Sequence, residues 1–147
     1  MATTTTPTRD NAQIRERIDA LAQAIRAKDI NALMAHYAPA VVTFDLMPLQ
    51  TLGVDAYRKN FEAWFASVQG PIDFEIRDLR IMTGDGVAFC HYLGGVKSTR
   101  TTGEKTDYGV RVTVGLRKMN GQWMVTHEHL SMPFNNRETM QAALASA

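Results

Sequence analysis

Apolar residues recur at helical spacing through the first part of this chain. Within residues 10–28 they lie four, three and four positions apart, which predicts a helix with one apolar stripe. The stripe consists of Ile14, Ile18, Leu21 and Ile25. Asp29 follows and can cap a short second helix, which Pro39 should end. Residues 41–46 are β-branched and aromatic, so they predict a short strand.

A third helix is predicted after a loop that Pro48 and Gly53 bracket. Asp55 can cap this helix, and Gly70-Pro71 should end it. Its apolar side is formed by Tyr57, Phe61, Trp64, Phe65 and Val68.

From residue 72 onward the pattern changes to alternation of apolar and polar residues. The predicted strands are joined by short turns and lie at about 72–82, 86–97, 106–118 and 122–131. Consecutive strands joined in this way form an antiparallel meander. This order, with three helices before the sheet, predicts an α+β fold in which a curved antiparallel sheet packs on the three N-terminal helices with one of its faces.

The strand over residues 106–118 has one apolar and one polar face. The apolar face, which should meet the helices, carries Val110, Val112, Val114 and Leu116. The other face carries Arg111, Thr113 and Arg117. Because this convex face has few charges for a monomer surface, we expect a homodimer through it, with His127 and His129 in the contact.

The last predicted strand places an acid on a largely apolar face. Asn120-Gly121 favours a two-residue hairpin, so residues 123–131 should pair with the preceding strand. In a regular strand one side carries Met124, Thr126, Glu128, Leu130 and Met132. The opposite side carries Trp123, Val125, His127, His129 and Ser131. A carboxyl group among apolar neighbours is paired, protonated or open to a cavity, so Glu128 indicates a pocket.

Length, net charge and cysteine content indicate the domain bounds, the classes of partner and the cell compartment. The 147 residues suffice for one domain with a core, which we place at residues 10–134. Residues 1–9 lack the features of a secretory signal and are expected to be a disordered leader, and residues 135–147 a short C-terminal helix or tail. The net charge of +1 and the lack of a long apolar run argue against nucleic-acid and membrane partners. The single cysteine, Cys90, forms no internal disulfide, which fits a reducing cytoplasm.

Three short sequence segments, in this order along the chain, resemble segments of the nuclear transport factor 2-like superfamily. They are Ala27-Lys28-Asp29-Ile30-Asn31-Ala32-Leu33, Tyr37-Ala38-Pro39-Ala40-Val41-Val42 and Gly53-Val54-Asp55-Ala56-Tyr57. Over roughly residues 10–134 the chain is most similar to ketosteroid-isomerase-related and SnoaL-like proteins. Residues 123–133 also resemble the last strand of the calmodulin-dependent kinase association domain, with Leu130 where that domain has an arginine. The resemblance implies a cone-shaped, curved antiparallel sheet of about six strands wrapped around the three helices. This scaffold hosts isomerases, dehydratases, cyclases, epoxide hydrolases and non-catalytic binding modules.

The same resemblance implies a position for a proton-shuttling acid. In ketosteroid isomerases this aspartate lies on the strand after the second helix, and Asp45 matches that position. Those enzymes also use a tyrosine of the first helix and a protonated aspartate of the penultimate strand as oxyanion donors. Leu21 and about Val114 occupy these positions here, so authentic steroid isomerisation is not expected.

Asp45 and Glu128 are the candidate catalytic residues. Asp45 lies between Phe44 and Leu46, where apolar neighbours would raise its pKa and suit it to act as a general base. Alternatively, it caps the following turn through backbone N–H groups. Glu128 could complete an acid–base pair with Asp45, form a buried ion pair with a lysine or arginine, or lie at an open end of the sheet.

The candidate substrate-binding residues are Tyr57, Trp64, His91, Tyr108 and Leu130. The aromatic residues could be cavity walls or ordinary core. His91, with Phe89 and Leu93 on its side, could line the cavity or be a core histidine with a satisfied ring.

His127 and His129 raise the question of a metal ion. Both rings project from one strand face, where they could hold an ion with a carboxylate or make hydrogen bonds at an interface. No closed set of four ligands can be assembled, so neither a metal nor a cofactor is expected.

Two functional hypotheses follow. In the first, the protein is an isomerase, lyase or hydrolase that acts on an apolar or cyclic small molecule. Asp45 would move the proton, and Glu128, His91 or Tyr108 would orient the substrate. In the second, the same cavity belongs to a non-catalytic ligand-binding or dimerisation module.

Overall fold

The computed structural model of the protein describes residues 5–146, with side chains from residue 9 onward. The helices are α1 (Thr5–Ala27), α2 (Ile30–Met34) and α3 (Val54–Ala66). The strands of the main sheet are β1 (Tyr37–Phe44), β2 (Thr51–Leu52), β3 (Val68–Thr83), β4 (Val87–Arg100), β5 (Lys105–Met119) and β6 (Gln122–Ser131). A small hairpin follows, formed by β7 (Phe134–Asn136) and β8 (Gln141–Ala142). None of the described helices is long and apolar enough to cross a membrane.

The N-terminal helices form one layer of the fold. The predicted stripe of α1 is buried, because Ile14, Ile18, Leu21 and Ile25 are each at most 5% exposed. Residues 5–9, expected to be a disordered leader, belong to this helix, and residues 1–4 lie outside the described residues.

The ends of the shorter helices match the predictions only in part. Asp29 caps α2 as predicted, accepting a hydrogen bond from the Ala32 N–H at 3.0 Å. At α3 the predicted cap is wrong, because Gly53 (φ 87°) is the N-cap and Asp55 lies in the first turn. Gly70-Pro71 do not end α3, which stops at Ala66; they lie within β3.

The second layer is a six-stranded curved sheet with the strand order β2-β1-β6-β5-β4-β3. The predicted meander of four long strands is present, and the α+β fold with helices on one side of the sheet is confirmed. The sheet is mixed rather than purely antiparallel, because β1 runs parallel to β6. This pairing brings the end of β1, and with it Asp45, beside the part of β6 that carries Glu128.

A β-bulge in β6 decides which of its side chains face the core. Gly115 pairs with His127 and Leu116 pairs with Val125, so Thr126 is the extra residue. The extra residue shifts the alternation, and Trp123, Val125 and Glu128 are all buried. The regular strand predicted from the sequence therefore placed Trp123 and Val125 on the wrong side, whereas Glu128 points inward as predicted.

The C-terminal segment is a hairpin and tail rather than the predicted short helix. After β8 the chain lies against a pair of glycines in neighbouring strands, Gly95 and Gly109. The Gly109 N–H donates to the Ala143 carbonyl at 2.9 Å. A side chain at Gly95 would meet the carbonyl oxygen of Ala145 at 3.1 Å, so these glycines admit the tail.

Candidate functional site

A cavity of about 540 Å³ lies between α3, the loop after β1 and the inner face of the sheet. Its size falls in the range of small-molecule sites. Most of its lining is apolar or aromatic, including Phe61, Trp64, Phe74, Val96, Val110, Val112 and Leu130. Two carboxyl groups, those of Asp45 and Glu128, also line it.

Glu128 is the most deeply placed acid of the cavity, only 4% exposed. It lies between Val114 of β5 and Thr43 of β1, its register partners in the sheet. Burial raises the pKa of Glu128 to about 7; the Tyr37 and Tyr57 hydroxyls oppose this increase, and the negative charge of Asp45 adds to it. Among the described residues, no lysine, arginine or histidine forms an ion pair with it, so the ion-pair alternative does not hold.

Buried tyrosines surround the Glu128 carboxyl group. The Tyr57 hydroxyl donates to Glu128 Oε2 at 3.4 Å, and the Tyr57 ring stacks on Tyr37 with centroids 5.0 Å apart. The Tyr37 hydroxyl is close enough to Glu128 for the two groups to affect each other's pKa, but it makes no hydrogen bond of regular geometry. Burial and the charge of Glu128 hold the pKa values of Tyr37, Tyr57 and Tyr92 well above their usual range. These hydroxyls therefore stay protonated and can act as hydrogen-bond donors.

Asp45 lies at the edge of the cavity, half-buried, directly after β1. Burial raises its pKa, and a hydrogen bond from the Leu46 N–H, at 2.6 Å, opposes that increase. Asp45 therefore combines both sequence-derived alternatives: it faces the cavity and also accepts a hydrogen bond from the following turn. Because Asp45 is less buried than Glu128, it ionises first, and its negative charge then raises the pKa of Glu128.

Of the predicted substrate-binding residues, Tyr57, Trp64, Tyr108 and Leu130 line the cavity. His91 does not: it is exposed on the outer face of the sheet with Phe89 and Leu93. The two apolar neighbours suggested an inward face, but on β4 the inward positions are Cys90, Tyr92, Gly94 and Val96.

His127 and His129 point to the outer face, as predicted. The His127 ring bonds the Val42 carbonyl at 2.7 Å, and both imidazoles meet the edge of the Phe44 ring. Within residues 9–146, no three His, Cys, Asp or Glu side chains are placed to hold a metal ion.

Sequence reasoning missed three features of the site. Tyr37, Tyr92 and Arg100 are not among the candidate site residues derived from the sequence. Alternation could have found the last two, because Tyr92 and Arg100 share the inward parity of β4 with Cys90. No local signal marks Tyr37, which meets Glu128 through the parallel pairing of β1 with β6.

A curved sheet and helices around an apolar cavity that contains acids define the chain as an NTF2-like protein. It belongs to the SnoaL-like domain family, whose model matches residues 14–135. No protein of curated function matches the chain.

Solved structures with the same fold include an NTF2-like protein of unknown function from Pseudomonas putida KT2440. It is 34% identical, with 93% of this chain and 95% of that one covered and a TM-score of 0.81. A ketosteroid isomerase-like protein from Erwinia carotovora atroseptica is 24% identical (82% and 93% covered, TM-score 0.72). The association domain of C. elegans CaMKII is 17% identical (86% and 98% covered, TM-score 0.69).

Proposed function

We propose that the protein is an acid–base enzyme that transfers a proton on an apolar small molecule bound in the cavity. The observation that carries the proposal is the pair of carboxyl groups, Asp45 and Glu128, on an otherwise largely apolar lining. Their environments separate their acidities, because Glu128 is fully buried and Asp45 is only half-buried. Such a separation supplies a base and an acid at the same pH.

Near neutral pH, Asp45 is the carboxylate and takes the proton from carbon or from water. Glu128, with a pKa of about 7, retains a substantial protonated fraction and donates a hydrogen bond or a proton to an oxygen of the substrate. Tyr57 contacts Glu128 directly and lines the cavity, so it orients this acid. Isomerisation, elimination and hydration all use these two steps, so the proposal covers this set of reactions.

The experiment is hydrogen–deuterium exchange at the acidic carbon of β-tetralone, a neutral bicyclic ketone, followed by NMR. Asp45→Asn keeps the shape of the side chain but removes the base, so the exchange rate should fall roughly 100-fold or more. Asp85→Asn, in the exposed turn between β3 and β4, is the matched control and should leave the rate unchanged. Equal rates for wild type and Asp45→Asn above the uncatalysed reaction would contradict a base role for Asp45.

A second candidate, a non-catalytic ligand-binding module, is favoured by one observation. The positions that match the oxyanion donors of ketosteroid isomerases, Leu21 and about Val114, are buried and apolar. Saturable binding of β-tetralone without exchange above the uncatalysed rate would support this alternative.

We also propose that the protein is a homodimer through the outer face of the sheet. A row of register partners crosses five strands on this face: Arg80, His91, Thr113, His129 and Phe44. Exposed apolar residues lie beside this row, namely Met82, Val87, Phe89 and Leu93. A face of this composition is typical of a protein contact.

A further inference from the structure

The inner face of the sheet changes character along the cavity. On β4 the inward positions run from Tyr92 and Val96 to Ser98 and Arg100. On β5 the inward positions run from Val112 and Val110 to Tyr108 and Thr106. The end of the cavity farther from Glu128 is therefore lined by hydroxyl groups and a guanidinium group.

Arg100 is the one cationic side chain among the described residues that line the cavity. Its Nε atom forms an ion pair with Glu104 Oε2 at 3.8 Å, and the two side chains are 54% and 69% exposed. An exposed pair at this distance contributes little, so the guanidinium is available to another anion.

Hydroxyl groups lie beside Arg100 on the same face. Ser98 Oγ and Thr106 Oγ1 are 2.6 Å apart across the two strands, and both residues line the cavity. Tyr108 is the next inward residue on β5, where burial and the Asp45 charge raise the pKa of its hydroxyl and the nearby Arg100 charge opposes that increase. A guanidinium with neighbouring hydroxyl donors suits a planar anion that accepts several hydrogen bonds.

We infer that this end of the cavity is an anion-binding subsite formed by Arg100, Ser98, Thr106 and Tyr108, and that the substrate is an elongated apolar molecule ending in a carboxylate. The inference rests on the proposed function and specifies its substrate class. The six residue-to-residue steps from Tyr92 to Ser98 correspond to a contour of roughly 20 Å along the strand, which curvature shortens. A molecule that reaches from Glu128 to Arg100 is therefore several bonds longer than a single ring. Arg100 can balance a single negative charge on the ligand, and the carboxylate of Asp45 on the same lining would repel a second one. A monoanion therefore fits better than a dianionic phosphate.

The test compares two probes of equal shape, phenylhexanoate and its neutral amide, phenylhexanamide, by isothermal titration calorimetry. The wild-type protein should bind the carboxylate about 10-fold more tightly than the amide at about 50 mM salt. Added salt should weaken the binding of the carboxylate and leave the binding of the amide unchanged. Arg100→Gln should bring the two dissociation constants together. Arg117→Gln, an exposed arginine of the outer face, is the matched control and should keep the preference.

A second variant tests the subsite by gain of binding. Glu104→Gln removes the acid that competes for Arg100. The variant should therefore bind the carboxylate roughly two- to threefold more tightly than the wild type and bind the amide with unchanged affinity. Equal binding of the two probes by the wild type, or an unchanged preference in Arg100→Gln, would overturn the inference.

The outcomes separate this inference from the proposed function. If Asp45 is needed for β-tetralone exchange but Arg100 gives no carboxylate preference, the enzyme proposal stands and the subsite is wrong. If neither the amide nor the carboxylate binds, the subsite inference is wrong, and the enzyme proposal fails as well only if the protein also gives no β-tetralone exchange above the uncatalysed rate.

Discussion

At the scale of single residues, Glu128 combines full burial with a titratable group. Its ionised form has no cation among the described residues and only tyrosine hydroxyls to stabilise it. Its pKa is therefore raised from 4.5 to about 7. The folded state favours the protonated form of Glu128. The contribution of this group to the free energy of unfolding is therefore fully present below pH 4.5, and it is lost as the pH rises through about 7.

This dependence predicts the effect of Glu128→Gln on stability. Glutamine keeps the shape and cannot ionise, so the variant should match the wild type near pH 4.5. Above pH 7 it should be more stable, by up to roughly 3 kcal/mol on the scale that relates pKa shifts to free energy. Urea unfolding across this pH range measures the difference.

Glu75→Gln is the matched control, since Glu75 is an exposed glutamate of β3. It should follow the wild-type pH profile. A Glu128→Gln variant that is less stable than the wild type at every pH would instead show that the ionised carboxylate stabilises the fold.

At the scale of elements, the long strands and the helices could be predicted because each has a strong local pattern. The stripe of α1 has the helical period, and the inward valines of β5 alternate without interruption. The Asp29 cap is also a local signal. The bulge at Thr126 could not be predicted, because it is fixed by pairing with β5 and not by the sequence of β6.

The same limit applies to the candidate site. Asp45 and Glu128 were identified because an acid stands out among apolar neighbours. His91 was misplaced because its neighbours Phe89 and Leu93 are apolar but belong to the exposed outer face. Tyr37 was assigned no role because its contact with Glu128 depends on the parallel pairing of two strands far apart in the chain.

Strand β4 also provides a packing prediction. A Cβ atom at Gly94 would lie 2.8 Å from Val110 Cγ2 and 3.4 Å from the Phe74 ring, so something must shift. Gly94→Ala should therefore destabilise the protein by about 1–3 kcal/mol, the usual range for overpacking. Thermal or urea unfolding measures the change.

Gly115→Ala is the control, because its Cβ would meet the His127 Cβ at an ordinary 3.5 Å. It should change stability much less. If the two substitutions changed the free energy of unfolding equally, the loss of glycine flexibility, and not the lack of space at Gly94, would explain the change.

At the scale of the whole molecule, the sheet separates two surfaces with different roles. Its inner face carries the cavity, and its outer face carries the proposed dimer contact. Cys90, Tyr92 and Val96 point to the first, while Phe89, His91 and Leu93 alternate with them and point to the second. A change on the outer face should therefore affect assembly without entering the cavity.

Thr113→Lys tests this separation. The new charge would lie in the row between His91 and His129, two residues from Arg111. Light scattering at micromolar concentration should show a dimer for the wild type and a monomer for the variant. Thr102→Lys, in the exposed turn between β4 and β5, should remain a dimer. A monomeric wild type would rule out the proposed contact.

Asp45 and Glu128 line the same cavity, and the negative charge of Asp45 raises the pKa of Glu128. The most direct test is a carbon NMR titration of the glutamate side-chain carboxyl groups, with Glu128 assigned through Glu128→Gln. Glu128 should titrate with a pKa of about 7, and with a lower pKa in Asp45→Asn, because the Asp45 charge raises it. A Glu128 pKa near the ordinary value of 4.5 that does not change in Asp45→Asn would show that neither burial nor the Asp45 charge acts on this acid.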